Sequence, residues 1–118
     1  MKKKHSTKEQ QRKWRIKARA RDPVKYARDL FARNLKRLYK MTPEQFEAML
    51  AAQDGKCAIC GGTPLGTKRY QRLFVDHDHE TGRIRSLLCH LCNIGIAAFE
   101  RDPDLVFKAY DYLQFHRR

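Results

Sequence analysis

The sequence has 118 residues, with 26 Lys or Arg against 13 Asp or Glu, which gives a formal net charge of +13 at pH 7. This length supports one compact domain with at most a small appendage, and so small a domain gains from a metal or covalent staple. The excess of positive charge indicates a polyanionic partner, either nucleic acid or an anionic membrane. No apolar run in the sequence approaches the ~20 residues that a membrane-spanning helix needs, which favours nucleic acid.

The first residues predict where the protein acts. Met1 is followed by Lys2, Lys3 and Lys4 and then by no apolar stretch, so a secretory signal is not expected. We therefore expect a cytoplasmic protein without membrane association. Disulfides are disfavoured in that compartment, and paired cysteines are interpreted first as metal ligands.

Residues 1–21 carry ten basic side chains and one acid, Glu9. Their net charge of +9 indicates a basic arm, which we expect to be helical when bound to phosphate. The alternative is a solvated, partly disordered tail that only aids solubility. Trp14, the single tryptophan, either stacks on a base or docks the arm on the body of the protein, and we favour docking.

The next segment predicts an amphipathic helix. Asp22 followed by Pro23 is a typical helix start, and the apolar spacing continues to about Lys40. We interpret the apolar stripe as core packing. The stripe consists of Val24, Ala27, Phe31, Leu35 and Leu38.

A second helix and a β-hairpin follow. Thr42 as N-cap with Gln45 at the capping-box position predicts the helix start, and Gly55 can take the left-handed conformation that ends it. Two β-prone runs, residues 73–75 and 83–88, flank a Glu-Thr-Gly turn and predict the hairpin.

Two Cys-x-x-Cys pairs lie before and after that hairpin: Cys57 with Cys60, and Cys89 with Cys92. Each pair is typical of a zinc knuckle, and two knuckles complete a tetrahedral shell of four thiolates. A closed shell leaves no position for substrate, so we expect a structural zinc that contributes to folding. The alternatives are redox dithiols or unligated buried cysteines.

The segment Asp76-His77-Asp78-His79-Glu80 concentrates reactive side chains on the hairpin. Strict alternation places the three acids on one face and the two histidines on the other, although we expect it to relax near the hairpin end. Carboxylate oxygens suit a Mg²⁺-type ion, and imidazoles suit a general base. The alternative is a solvated hairpin tip.

Asn93 directly follows the second knuckle, so bound zinc would fix its position at the start of the next helix. Its amide oxygen can join Asp76 in a two-point clamp on one ion, or it can simply cap the helix. This helix is predicted to run to about Phe99, and Asp102-Pro103 predicts the start of the last one. The predicted buried face of the last helix consists of Leu105, Val106, Ala109, Tyr110 and Leu113.

Together these motifs resemble the phage recombination endonuclease VII family, which belongs to the HNH or ββα-metal nucleases. The resemblance covers about residues 42–115. Ile96 stands where the best-known junction-cleaving member has a glutamate, and whether Glu100 compensates is open. The matching elements are Cys57-x-x-Cys60, Asp76-His77-Asp78-His79, Gly82-x-x-Arg85, Leu87-Leu88-Cys89-x-x-Cys92-Asn93 and Gly95.

The expected fold is α+β and mainly helical, with a zinc-stapled ββα-metal core (hairpin plus helix) and an N-terminal basic helical arm. We expect residues 1–41 to form the basic arm and its helix, and residues 42–118 to form the nuclease domain. Outside these motifs we expect basic side chains to contact the DNA backbone with little sequence readout. They are Lys13, Arg15, Arg28, Lys36, Arg37, Arg83 and Arg85.

The resemblance also implies roles for individual residues. Asp76 and Asn93 would bind a catalytic Mg²⁺ or Mn²⁺, His77 would be the general base, and His79 would help to hold the scissile phosphate or the site. The four cysteines would hold structural Zn²⁺.

The sequence therefore predicts a metal-dependent DNA endonuclease, nicking or junction-resolving, that acts in the host cytoplasm if it is phage-encoded. The first alternative is a non-catalytic zinc-ribbon nucleic-acid-binding protein, which explains the cysteines and the charge but not the spacing of Asp76, His77, His79 and Asn93. A second alternative is an enzyme with the same core but a different task, such as a genome-packaging accessory nuclease or a homing-type nuclease. Oligomeric state, substrate structure and preferred metal stay open.

Overall fold

The structure is a computed structural model that describes residues 6–64 and 71–117. The described residues are mainly helical with one small antiparallel hairpin, which confirms the predicted α+β class. The elements are α1 (Lys8–Arg21), α2 (Pro23–Tyr39), α3 (Pro43–Ala52), β1 (Phe74–His77), β2 (Ile84–Leu88), α4 (His90–Ala97) and α5 (Leu105–His116).

The chain divides into two compact units, one ending at Gln45 and the other beginning at Phe46. The functional division predicted between residues 41 and 42 stays a prediction. Lys2, Lys3 and Lys4 of the predicted arm lie outside the described residues. No helix in the described parts of the chain is long and apolar enough to cross a membrane.

The first unit contains the helical hairpin α1–α2. Thr7 caps α1, since its hydroxyl accepts the Gln10 N–H while the Gln10 side chain accepts the Thr7 N–H. The basic arm is thus helical in its described part. Asp22 caps α2 through a 3.0 Å hydrogen bond from the Lys25 N–H, with Pro23 in the first turn, as predicted.

The predicted core stripe of α2 is wrong at its two ends. Leu35 is 3% exposed, but Val24 is 78% exposed and Leu38 is 55% exposed. A hairpin of two helices covers only one side of each helix, so part of an apolar stripe stays in solvent.

The termini of α3 follow the prediction. The Thr42 N–H donates to the Gln45 side chain at 2.9 Å, and the Gln45 N–H donates to the Thr42 hydroxyl at 3.1 Å. After the helix, Gly55 takes a φ of +69° and donates its N–H to the Leu50 carbonyl at 2.9 Å.

The second unit has a small apolar core around the hairpin. Strands β1 and β2 pair antiparallel, with Val75 opposite Leu87 and His77 opposite Ile84. The register shifts between Val75 and His77, and as a result Val75 and Asp76 are both buried. The alternation is therefore relaxed at this point, as expected near the hairpin end, because a bulge turns consecutive side chains inward. The buried apolar residues of this unit are Phe46, Cys57, Leu73, Val75, Leu87, Leu88 and Cys89.

Gln53, just past the end of α3, is hydrogen-bonded to β2. Its side-chain amide donates to the Leu87 carbonyl and accepts the Leu87 N–H, both at 2.9 Å. The Ala58 N–H donates to the same carbonyl at 3.1 Å. These bonds hold the first cysteine pair beside the strand that leads to the second.

Helix α4 begins directly after Cys89 and packs against β1, with the Phe74 and His90 rings 5.7 Å apart. It ends at Ala97, slightly before the predicted Phe99, because the last residues form tighter i−3 hydrogen bonds.

Helix α5 differs more from the prediction. It begins at Leu105 rather than at Pro103, because the N–H groups of Leu105 and Val106 donate to carbonyls three residues back and form a turn there. Its predicted buried face is wrong: Val106, Tyr110 and Leu113 are 42%, 60% and 66% exposed. No described element packs extensively along this helix.

Candidate metal centre and active site

The four cysteines come together in one cluster. Their Sγ atoms all lie within 4.8 Å of one another, and the Sγ atoms of Cys60 and Cys89 are 3.8 Å apart. Among the described residues this is the one group of three or more His, Cys, Asp or Glu side chains that could hold a metal ion. Four converging thiols fit Zn²⁺ in both ligand number and ligand type.

Backbone geometry shapes both knuckles. In the first, the Cys57 N–H donates to the Gly62 carbonyl at 2.8 Å and the Gly62 N–H donates to the Cys60 Sγ at 3.3 Å. Gly61 takes a φ of +69°, and a Cβ on Gly62 would lie 3.2 Å from the Cys60 Sγ. In the second, the Cys92 N–H points at the Cys89 Sγ at 3.5 Å.

The electrostatics of the cluster favour a bound cation. Burial opposes ionisation of Cys57, but backbone N–H groups, first that of Cys89, more than offset it and lower the Cys57 pKa to about 6. Burial, followed by hydrogen bonds to the neighbouring thiols, raises the pKa of Cys92 to about 12. Without a metal, the four thiols therefore cannot all ionise near neutral pH. A divalent ion would stabilise all four as thiolates.

The hairpin turn depends on Asp78. Its carboxylate accepts the N–H groups of Glu80 at 2.8 Å and Thr81 at 3.1 Å, and these two bonds, Thr81 first, hold its pKa below the usual range. Gly82 completes the turn with a φ of +75°. Asp78 therefore shapes the turn, a role that the simple count of acids in the sequence did not distinguish.

Asp76 is 7% exposed and forms a bidentate ion pair with Arg85. The guanidinium Nε donates to Oδ2 at 2.6 Å and Nη2 donates to Oδ1 at 2.9 Å. Hydrogen bonds first from Asp76 and then from Glu100 raise the pKa of Arg85, so its positive charge is fixed. The buried carboxylate is therefore neutralised by a cation within the chain.

Glu100 extends this pair into a network. One of its oxygens accepts from Arg85, and the other contacts Nδ1 of His79. The hydrogen bond with His79, followed by that with Arg85, holds the pKa of Glu100 below its usual range. The sequence left the role of Glu100 open because it lies outside every motif, in the turn after α4.

The structure places the remaining predicted site residues on neighbouring elements. His77 ends β1, and its ring centroid is 4.7 Å from that of His79, so the two imidazoles share one side as expected. Asn93 lies in the first turn of α4, where its N–H donates to the Cys89 carbonyl at 2.9 Å, so the second knuckle fixes its position. Because α4 packs against β1, Asn93 and Asp76 lie on elements in contact.

An open cavity of about 530 Å³ lies beside the network. His79, Arg85 and Glu100 line its polar part, and Ile96, Phe99 and Val106 line its apolar part. The network therefore faces a space that a ligand can enter.

The predicted DNA-contacting residues differ in their surroundings. Arg83 is exposed, whereas Arg85 is held by two carboxylates. Lys13 lies 3.8 Å from Glu9, and Arg37 donates to the Asn34 side chain at 3.4 Å. The others, Arg15, Arg28 and Lys36, are exposed on α1 and α2.

A family model for recombination endonuclease VII matches residues 32–115, most of the chain. The chain belongs to the recombination endonuclease VII family. The match begins within α2, ten residues before the start expected from the motifs, and it leaves α1 outside.

Two curated phage proteins are similar to this member of the recombination endonuclease VII family. The Gene 59 protein of Mycobacterium phage D29 is 40% identical over 77 residues, which cover 64% of this chain and 45% of the relative. The Gene 59 protein of Mycobacterium phage L5 is 38% identical over 76 residues, which cover 64% and 44%. The chain therefore matches less than half the length of these relatives.

Proposed function

We propose that this chain is a metal-dependent DNA endonuclease of the HNH type, which hydrolyses phosphodiester bonds and either nicks DNA or resolves junctions. The observation that carries the proposal is the placement of Asp76 and His77 on a strand that packs against the helix bearing Asn93, with cysteine pairs before and after the hairpin. Family membership supports the same reaction class.

The cysteine cluster is the structural centre in this proposal. Zinc held by all four thiolates would join the turn before β1 to the start of α4, and so fix Asn93 relative to the hairpin. It would take no part in the reaction, because a complete thiolate shell excludes substrate.

The catalytic ion, Mg²⁺ or Mn²⁺, would be held by the Asp76 carboxylate and the Asn93 amide oxygen. Both are hard oxygen donors, and a site with few protein ligands suits an ion that keeps several waters. Asp76 is already paired with Arg85, so a divalent ion would have to compete with that cation for the carboxylate oxygens. Bound there, the ion would supply Lewis-acid stabilisation of the charge that develops on the phosphate.

The chain's own side chains would move and hold protons. His77 would take a proton from the attacking water, since a neutral imidazole is a suitable base near neutral pH. His79, whose Nδ1 faces Glu100, would present its other ring nitrogen to the scissile phosphate. Family resemblance implies a 5′-phosphate and a 3′-hydroxyl as products.

Affinity for DNA would come mainly from contacts to the phosphate backbone. The predicted contacts on α1 and α2 carry positive charge without a base-reading element, so we expect little sequence preference. If about six phosphates are neutralised, affinity should fall by ~10³ or more between low and moderate salt.

The experiment is nicking of supercoiled plasmid in Mg²⁺ or Mn²⁺ by the chain and by His77→Ala. We expect the variant to lose cleavage while zinc content and DNA affinity stay close to those of the unchanged chain. His116→Ala, which removes an exposed histidine near the end of α5, is the matched control and should cleave normally. Cleavage by His77→Ala at the unchanged rate would remove His77 from the mechanism.

A second candidate is a non-catalytic zinc-ribbon protein that binds nucleic acid. The observation in its favour is that both carboxylate oxygens of Asp76 are engaged by Arg85. It predicts tight DNA binding with no nicking by the unchanged chain in either metal, a result that the endonuclease proposal does not allow.

A further inference from the structure

The groove between α1 and α2 is a feature that the proposed reaction does not use. It has a volume of about 680 Å³ and lies within the first compact unit. Most of its lining precedes residue 32, where the family match begins, so the match assigns it no role.

The groove walls are strongly basic. Residues 8–40 contain thirteen Lys or Arg and three Asp or Glu, and four of these cations line the groove. A concave surface with this charge attracts a polyanion and concentrates it near the walls. The lining cations are Lys17, Arg21, Lys25 and Arg33.

An aromatic surface stands among these cations. Trp14 lines the groove and is 60% exposed, so most of its indole is open to a ligand. Tyr26 lines the same groove from α2 and is partly buried. Proteins that bind single-stranded nucleic acids use aromatic faces bordered by positive charge, because bases stack on the ring while phosphates contact the cations.

The two acids in the lining do not remove this complementarity. The Asp22 carboxylate accepts the Lys25 N–H as the helix cap, so it is already engaged. Asp29 leaves an acceptor in the groove, which suits the N–H groups of a base better than it suits a phosphate.

We infer that the α1–α2 groove binds an unpaired stretch of DNA, with a base stacked on Trp14 and flanking phosphates held by the groove cations. This goes beyond the proposed cleavage reaction, which needs only backbone contacts to DNA. The groove site would give the protein a preference for DNA with unpaired nucleotides. It requires neither the catalytic ion nor His77.

The test uses the fluorescence of Trp14, the single tryptophan of the chain. The zinc-loaded full chain, without Mg²⁺ or Mn²⁺, is titrated with an oligodeoxythymidylate of about 12 nucleotides, within the site sizes of single-strand binders. Stacking should quench the indole emission. An abasic strand of equal length and a duplex should bind with much less quenching.

Variants separate stacking from general charge attraction, with affinity measured by anisotropy of the labelled strand. Trp14→Leu should weaken binding by about tenfold while Trp14→Phe keeps most of it, since a base stacks on any aromatic ring. Arg21→Gln should lower the salt slope by ~0.7, the loss of one phosphate contact. Arg19→Gln, an exposed arginine of the same helix outside the groove lining, should have a smaller effect on affinity.

Three results with the DNA probes would overturn the inference. They are equal quenching by the abasic strand, unchanged affinity in Trp14→Leu, and equal losses of affinity in Arg21→Gln and Arg19→Gln. Vesicles of phosphatidylcholine and phosphatidylglycerol are the remaining probe. A blue shift with vesicles but no quenching by the oligonucleotide would assign the surface to an anionic membrane. Since no catalytic metal is present, failure here and failure to nick plasmid are separate outcomes.

Discussion

Arg85 binds both carboxylate oxygens of Asp76, at 2.6 and 2.9 Å, in a pair whose acid is 7% exposed. The arginine neutralises a charge that would otherwise be buried without a partner, and it does so at the oxygens proposed to bind a divalent ion. The same contact thus stabilises the fold and would compete with an ion bound at this carboxylate.

Arg85→Gln should therefore have two opposite effects. The free energy of unfolding should fall by about 2 kcal/mol, less than for a fully buried pair because the arginine side chain is 35% exposed. Affinity for Mn²⁺ should rise, because the competing cation is gone. Urea unfolding and Mn²⁺ titration followed by electron paramagnetic resonance measure the two effects.

The control for that experiment is Arg83→Gln, which removes an exposed arginine just before β2. It should change neither stability nor Mn²⁺ affinity appreciably. If Arg85→Gln bound Mn²⁺ no more tightly than this control, Arg85 would not compete with an ion at Asp76.

Glu100→Gln should weaken cleavage by about tenfold, by analogy with carboxylates that orient histidines from the outer shell of metal sites. The variant keeps the size of the side chain but loses the charge that holds His79 and Arg85. Single-turnover cleavage and DNA affinity should be measured together, and affinity should change less than rate. Glu80→Gln, in the exposed turn, is the matched control, and an equal loss of rate in it would assign the effect to general charge.

Removal of zinc should unfold the second unit. We expect one Zn²⁺ per chain, and Cys57→Ser should lower both zinc content and melting temperature, because binding of a structural metal contributes directly to folding free energy. Ala58→Ser, an exposed neighbour, should leave both unchanged. Atomic absorption and thermal unfolding followed by circular dichroism measure these quantities. Full thermal stability after chelation would contradict a structural role for the metal.

The sequence predicted the parts of this molecule that follow from local rules. Asp22 with Pro23 and Thr42 with Gln45 mark helix starts because a cap needs only a few neighbouring residues. The cysteine cluster was predictable because the spacing within each pair limits the geometry around an ion.

What the sequence could not supply depends on tertiary contacts. Periodicity in α5 indicates an apolar face but does not say whether another element covers it, and Val106 and Leu113 stay exposed. The partner of Asp76 could not be read from a motif either. Arg85 lies on the opposite strand, and the bulge after Val75 decides which side chains turn inward.

Gln53→Ala should destabilise the second unit by about 2 kcal/mol, since it leaves the N–H and the carbonyl of buried Leu87 without their side-chain partner. Gln53→Glu should recover part of the loss, because a carboxylate still accepts the Leu87 N–H but cannot donate to its carbonyl. Gln114→Ala, on exposed α5, should cost little. Equal midpoints of urea unfolding for the Gln53 and Gln114 alanine variants would contradict this role of Gln53.

The Sγ atoms of Cys60 and Cys89 are 3.8 Å apart although the residues are 29 positions apart in the sequence. This proximity affects how much the length of the intervening segment can vary. A zinc ion bound by both cysteines would close the intervening chain into a loop. The entropic cost of closing a loop grows only with the logarithm of its length. Doubling the segment would cost about 0.6 kcal/mol. Family members can therefore differ in the connections inside this loop while the paired strands keep their register, so length polymorphism there is compatible with a constant arrangement of Asp76 and His77.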